Sequence, residues 1–253
     1  MNDYWLERVE RDEAHAQKIA SEQLKKHESL YRKSYKKITN YLNALCTEIL
    51  EKDETPTRTE LWRFSKYISL LNAIDSECSV IGAAQISIAE FVIDEVFKDT
   101  LGFTKEAFQD EGLNTFYSFQ TKEVLNQLWS GKSYSERIWN NTNELAVRTK
   151  NKITDMVVLG KNPSNIKKEI QKEFNTSFNQ ANRLVRTEAS YTYNQAAISQ
   201  YKKEGVKRVK FKAESNCCDI CAQYKNKIYN INEIPFLPVH PNCRCCYIPI
   251  VDI

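Results

Sequence analysis

The sequence predicts a mainly α-helical protein closed by a small C-terminal α+β module: long N-terminal helices, further helices, then a cysteine-bearing knuckle in a short β-hairpin or sheet. Three observations predict it. The 253 residues include only 6 Gly and 6 Pro, with 27% charged residues, a balance that suits long helices and disfavours both a barrel and a disordered chain. From Tyr4 to Leu50 there is no Gly or Pro at all. After Gly205 the apolar period falls to two, and six of the eight cysteines lie between Cys217 and Cys246. The length allows a real core and one or two domains. No apolar h-region or small-residue cleavage site opens the chain, and the longest apolar stretch, Val80 to Phe97, is broken by Gln85, Glu90, Asp94 and Glu95. The expectation is a chain made and folded in a cytosol, with no membrane partner.

The elements follow in order. Tyr31, Tyr35, Ile38, Leu42, Leu45 and Ile49 recur at steps of four and three, which puts one apolar stripe down a long first helix. Packing within the chain is favoured over a coiled coil, because fewer than four clean heptads are present. Pro56 ends that pattern, and Thr57 with Glu60 forms a capping box that opens a second helix, with Leu61, Phe64, Ile68, Leu71 and Ile74 on its core face. A third helix is expected over Ala83 to Phe97, followed by a less regular connector to about Asn114. The domain boundary is placed there, dividing a helical partner-docking region, 1–114, from a second domain, 115–253, with its knuckle over about 206–253. Ser133 and Glu136 form another capping box after a turn at Gly131, and that helix should end near Gly160. Asn162 and Pro163 start a short helix over Ser164 to Phe174, and Thr176 caps a longer one closed by Gly205. Val209, Phe211 and Ala213 alternate with charged residues as a half-exposed strand, and Lys227 to Ile231 and Tyr247 to Val251 fit two more.

The cysteines carry the strongest chemical signal. Cys218 and Cys221 stand in C-x2-C spacing, and His240 and Cys243 repeat it eighteen residues later in H-P-N-C. Such pairs close tight turns that aim both donors at one point, the pattern of a tetrahedral Cys3His zinc site. Cys245 could replace His240 or Cys243, so four of five candidates would suffice. Disulfides or buried free thiols are the competing readings. A cytosolic chain disfavours the former, and the paired spacing disfavours the latter. The zinc is expected to be structural rather than catalytic, because the H-x-E and P-C-x-x-C pattern of zinc deaminases is missing. No catalytic residue is expected. Cys46 and Cys78 lie on apolar helical stretches and read as core.

Two further constellations are polar. In Arg186-Thr187-Glu188, residues two apart on a helix point about 200° apart, so Arg186 and Glu188 cannot pair. Glu188 shares a stripe with Leu184 and Tyr191 and must find a buried partner elsewhere. The expectation is a polar clamp that ties this helix to the knuckle or to the helix around Arg137. Residues 150–253 hold 17 Lys plus Arg against 9 Asp plus Glu, +8, while the remainder holds 19 against 24, −5. Lys202, Lys203, Lys207, Arg208, Lys210 and Lys212 lead into the knuckle as a phosphate-contacting edge, without a recognition helix, so any DNA contact should be independent of sequence. Edge-strand lysines that block aggregation are the alternative.

The ordered set W-x-G and S-x-R-I-W at Trp129 to Trp139, V-R-T-E at Val185 to Glu188, Asn194, C-x-x-C at Cys218, and H-P-N-C-R-C from His240 to Cys245 closely resembles the phage Mu F-like head morphogenesis proteins. The resemblance covers about Leu125 to Ile250. It implies a minor head protein of a tailed, double-stranded DNA phage, located in the capsid interior and in the host cytoplasm during assembly. Implied partners are the portal protein, packaged DNA, and scaffold or major capsid protein, with an influence on DNA ejection. Two features depart from the family pattern: Tyr224-Lys225-Asn226-Lys227 where Asp-Gly is usual, and the extra thiols Cys217 and Cys246. Asn tolerates the left-handed conformation that such a turn needs. Rival readings are a toxin-like ADP-ribosyltransferase and a stand-alone zinc module that binds nucleic acid. Only Tyr247 to Ile253 follow the knuckle, which leaves no room for an appended catalytic domain, so an enzyme is not expected.

Overall fold

A computed structural model describes residues 3–53, 55–112 and 133–251. The expected boundary near residue 114 and the turn at Gly131 lie outside the described residues. Four long helices dominate: α1 (Asp3–Glu51), α2 (Ser65–Asp110), α3 (Tyr134–Val158) and α4 (Pro163–Lys203). They are followed by β1 (Arg208–Lys212), the one-turn helix α5 (Asp219–Ala222), β2 (Ile228–Asn230) and β3 (Cys246–Ile250). Among the described residues, no helix is long and apolar enough to cross a membrane.

The local signals act where they were read. The Thr57–Glu60 box closes reciprocally, with the Thr57 backbone N–H donating to Glu60 Oε2 at 2.9 Å and the Glu60 N–H to Thr57 Oγ1 at 3.3 Å. It caps a short 3-10 turn, Glu60–Arg63, directly before α2. Asn162 Oδ1 accepts the Ser164 N–H at 2.8 Å and starts α4. Gly205, at φ +77°, ends that helix: Val206 N–H reaches back to Tyr201 O and Gly205 N–H to Lys202 O, the paired bonds of a Schellman end.

Two expected breaks are absent. The second and third expected helices are one, because the buried series Leu70, Ile74, Cys78, Ile81, Gln85, Ala89, Val92, Val96 keeps steps of four and three through Gly82. Gly82 is a packing residue: a Cβ there would lie 2.8 Å from Cζ3 of Trp139. Likewise the two helices expected before and after Thr176 are one, because Ile166, Ile170, Phe174, Ser177, Ala181 and Val185 form a single buried series. Thr176 is exposed on the far side. A continuous buried stripe outweighs a local cap signal worth about 1 kcal/mol.

The chain forms two compact units, each assembled from separated segments. Unit 2 takes Leu24–Ser87 and Tyr134–Asn182. Its core runs through Tyr31, Ile38, Leu42, Leu45, Leu61, Phe64, Leu70, Ile74, Ile153 and Ile170. The stripe read from the sequence is therefore satisfied within the chain. Cys78 is in this core and Cys46 lies half-buried at its margin. Buried Glu77 accepts from Ser34 Oγ at 2.7 Å and from Lys37 Nζ at 2.8 Å.

His27 is almost fully buried in unit 2 and meets Tyr31 edge-on at 5.0 Å. Burial lowers its pKa from 6.5 to about 4, against a smaller opposing pull from the Ile81 backbone. The unfolded chain therefore takes up this proton first. The stability that His27 contributes is complete above about pH 6.5 and is lost as pH falls toward about 4, at up to about 1.4 kcal/mol per pH unit. Denaturant unfolding across that window should show the loss in the wild type and a flatter profile in His27→Phe. Equal slopes in the two proteins would contradict it.

Unit 1 takes Met1–Gln23, Ile88–Ser133 and Arg183–Ile253. Its core is aromatic: Trp5 lies 4.8 Å from Phe108 and 6.4 Å from Tyr201, ring centre to ring centre. The Tyr193 hydroxyl donates to Val9 O at 3.2 Å. The three strands make an antiparallel sheet in the order β2-β1-β3. Opposite Tyr229, Val209 faces Pro249, and Phe211 is opposite Tyr247. β1 is thus the central strand, which corrects the alternative that its lysines guard a sheet edge. Its alternation survives because Val209 and Phe211 are fully buried while Arg208 is exposed. Phe211 packs against Tyr224 and Tyr247 at 5.4 and 5.5 Å, a small aromatic core beneath the knuckle.

Candidate metal centre

The first pair of donors is set by α5. Cys218 stands in extended conformation just before that turn, and its carbonyl accepts the Ala222 N–H at 2.9 Å. Cys221 is thereby folded back beside it. The second pair is set by His240-Pro241-Asn242-Cys243, where Asn242 has φ +65° and Cys243 N–H closes the turn on His240 O at 3.1 Å. Proline second and a left-handed residue third are the signature of a type II turn. Asn226, at φ +63°, supplies the left-handed residue in the β1–β2 connection, where its N–H reaches Phe211 O at 3.0 Å. The departure from Asp-Gly is accommodated.

These turns gather the five candidate donors into two overlapping groups of three. Cys218, Cys221 and His240 form one group within metal-ligand reach, and Cys221, Cys243 and Cys245 form another. Cys221 belongs to both. His240 Nε2 lies 3.2 Å from both Cys218 Sγ and Cys221 Sγ, and Cys221 Sγ lies 3.7 Å from Cys243 Sγ. Ligands around a tetrahedral zinc stand about 3.8 Å apart for two sulfurs and about 3.5 Å for sulfur and nitrogen. The sulfur pair already has that spacing, and the imidazole sits slightly inside it. His240 Nδ1 lies 2.9 Å from Pro241 O. An Nδ1–H donated there leaves the Nε2 lone pair facing the sulfurs, the orientation a metal-bound imidazole takes. All eight cysteines are unbridged. Cys217, half-buried, and Cys246, fully buried on β3, belong to neither donor group.

The electrostatics divide the thiols, shifting Cys218 and Cys243 toward thiolate and Cys221 and Cys245 toward the protonated form. The Cys221 backbone N–H lowers the Cys218 thiol pKa. The Cys245 thiol, hydrogen-bonded to Cys243, brings Cys243 down to about 5, while Cys245 itself is raised. Burial pushes Cys221 up to about 12. At His240 desolvation pulls the pKa down, but the Pro241 carbonyl and the neighbouring thiolates outweigh it. Thiols that share protons in this way are ready to exchange them for a soft divalent cation. The donor set fits such an ion, with three or four sulfurs and one oriented imidazole.

The surrounding shell holds the H-P-N-C-R-C loop in place. Asn194 Nδ2 donates to Cys245 O at 3.1 Å, which ties α4 to the knuckle. Thr187 Oγ1 accepts the Asn242 N–H at 2.9 Å. The Arg244 guanidinium donates to both carboxylate oxygens of Glu13 and, at 3.0 Å, to Glu214. Thr187, Arg244, Glu13 and Glu214 were not singled out from the sequence. Glu13 had no signal to give, since its partner is 231 residues away. Arg186 reaches Ser21 Oγ on α1 at 3.0 Å, and Arg137 lies on α3. Of the four residues expected to form a clamp, Asn194 makes the tie to the knuckle. Glu188 is buried, beside Tyr191.

Residues 148–248 match the family of Phage Mu protein F like proteins. The matched span contains all five donors together with Thr187, Asn194 and Arg244. No curated protein and no solved structure matches the chain. Within the Mu F-like region the six basic residues are spread: Lys202 and Lys203 close α4, Lys207 and Arg208 are exposed, and Lys210 and Lys212 are half-buried. Lys212 is a member of that set held by an acid. Its ammonium is paired with Glu10 at 2.9 Å and is only 20% exposed.

Proposed function

We propose that this chain is a minor head protein of a tailed, double-stranded DNA phage. It associates with portal subunits inside the procapsid, contacts packaged DNA independently of sequence, and influences ejection of that DNA. It resides in the capsid interior, and in the host cytoplasm during assembly, with scaffold or major capsid protein as further neighbours. The observation that carries this reading is the family match over residues 148–248, which contains the region where the cysteine and histidine turns converge. The role is architectural, not enzymatic. Coexpression with the portal protein of the same genome, followed by affinity capture, should yield a complex that survives gel filtration. A portal that elutes alone at micromolar concentrations of both proteins would count against the reading.

The ion is zinc, held by Cys218, Cys221, His240 and Cys243, with Cys245 beside them as a reserve thiol. Support comes from the 3.7 Å sulfur spacing and the orientation of His240. Four protein ligands fill a tetrahedral shell, so the zinc acts as a staple for a sheet whose own core is little more than Phe211, Tyr224 and Tyr247. The DNA contact read from the sequence falls to the exposed members of the basic set, Lys202, Lys203, Lys207 and Arg208.

A further inference from the structure

Residues 1–149 are acidic in total, with 19 Lys plus Arg against 24 Asp plus Glu. That balance conceals a local reversal on α1. Between residues 24 and 41 stand Lys25, Lys26, Arg32, Lys33, Lys36 and Lys37 against one acid, Glu28, a net of +5. The helix segregates them. Leu24, His27, Tyr31, Ser34, Ile38 and Leu42 are buried at steps of three and four, while Lys25, Lys26, Arg32, Lys33, Lys36 and Lys37 are all exposed. At 3.6 residues per turn, Lys25, Arg32 and Lys36 fall within about 40° of one line, which runs for about 16 Å along the helix. Lys33 and Lys37 lie to one side of that line, about 80° and about 120° round from Lys25.

The charges on the central line of this face are available. Lys25, Lys33 and Lys36 make no ion pair among the described residues. Arg32, 78% exposed, pairs with Glu28 one turn away at 2.6 Å, a surface contact that a phosphate can replace. Lys37 holds Glu77 at 2.8 Å but stays 64% exposed. The face carries one acid, Glu28, already paired with Arg32, with Ser29 and Asn40 between the cations and no large apolar side chain at its centre. A protein-docking patch would need an aromatic or aliphatic anchor there. A membrane-surface helix would need its apolar side to enter lipid, and here that side is the core of unit 2. Duplex DNA carries one phosphate charge per about 1.7 Å of its axis and asks only for a row of mobile cations.

We infer that residues 25–37 of α1 form a phosphate-binding face for duplex DNA, separate from the basic residues of the C-terminal sheet. The inference rests on the proposed function for the identity of the polyanion, not for the existence of the face. The cations contact backbone only, so binding is independent of sequence and strongly dependent on salt.

The test titrates the full chain with nonspecific duplex over a range of salt concentrations. The combined variant Lys25→Gln, Lys33→Gln, Lys36→Gln changes only exposed side chains and should keep the wild-type melting curve. Its slope of log affinity against log salt should be shallower by about 2.7, at about 0.9 per lost phosphate contact. The matching variant Lys202→Gln, Lys203→Gln, Lys207→Gln should retain the contribution of α1. An unchanged slope in the α1 variant, with the loss confined to the C-terminal variant, would overturn this inference and leave the DNA contact of the proposed function standing. Loss of binding to phosphatidylserine vesicles without loss on duplex would overturn it in favour of a lipid surface. A wild-type chain that binds no duplex at low salt would overturn both DNA statements, while portal capture is read independently.

Discussion

Cys221→Ser is expected to strip the metal and unfold the C-terminal module. Cys221 is 1% exposed and is the one donor common to both ligand groups, so its loss leaves neither group complete. A structural zinc contributes about 10–16 kcal/mol of apparent binding free energy near neutral pH. The whole stability of a domain is about 5–15 kcal/mol. The expected result is zinc content near zero, with protease-sensitive backbone from residue 206 onward. Cys217→Ser is the control. That thiol is half-buried and outside both donor groups, and its variant should keep both metal and melting temperature. Cys245→Ser should keep the ion as well, because it leaves the Cys218, Cys221 and His240 group whole with Cys243 beside Cys221. A Cys221→Ser protein that retains zinc and melts with the wild type would contradict the arrangement.

Removal of residues 1–23 should unfold unit 1 even though the family match begins at residue 148. That segment buries Trp5, Val9, Ala16 and Ala20 and brings Glu13 to Arg244. Loss of a buried Trp alone costs about 3–5 kcal/mol, and removal of the remaining apolar residues brings the total into the range of a domain's stability. Glu13 adds to this. Burial raises its pKa, and Arg244 opposes that rise, so deletion also leaves the knuckle arginine without its buried acid. A fragment of residues 24–253 should lose the cooperative melt of unit 1 and expose the H-P-N-C-R-C loop to proteolysis. A chain starting at residue 115 should behave no better. Cooperative melting of the 24–253 fragment at the full-length temperature would contradict this account.

What was legible in the sequence was local. Asn162, Gly160 and Gly205 mark helix ends because a cap depends on neighbours within a turn, and all three mark ends in the structure. The cysteine pairs were legible for the same reason: each turn closes over three residues. The unbroken course of α2 was not, because Gly82 reads as a weak point until Trp139, 57 residues later, fills the space beside it. Strand order was hidden too, since the lysines of β1 alternate in the same way on a central strand as on an edge. Nothing in the sequence singles out Arg244 between its two cysteines, and only the fold brings Glu13 to it. The basic face of α1 was present in the residue order but cancelled when charge was counted over half the chain.

The most direct test of the central claim, that the convergent cysteines and His240 are a structural zinc site, is metal analysis of the full-length protein purified without chelator in reducing buffer. The account predicts about one zinc per chain, released together with the C-terminal module's resistance to protease when a strong chelator is added. Folded, reduced protein with a zinc content near zero, or protein whose protease resistance is indifferent to the chelator, would contradict it.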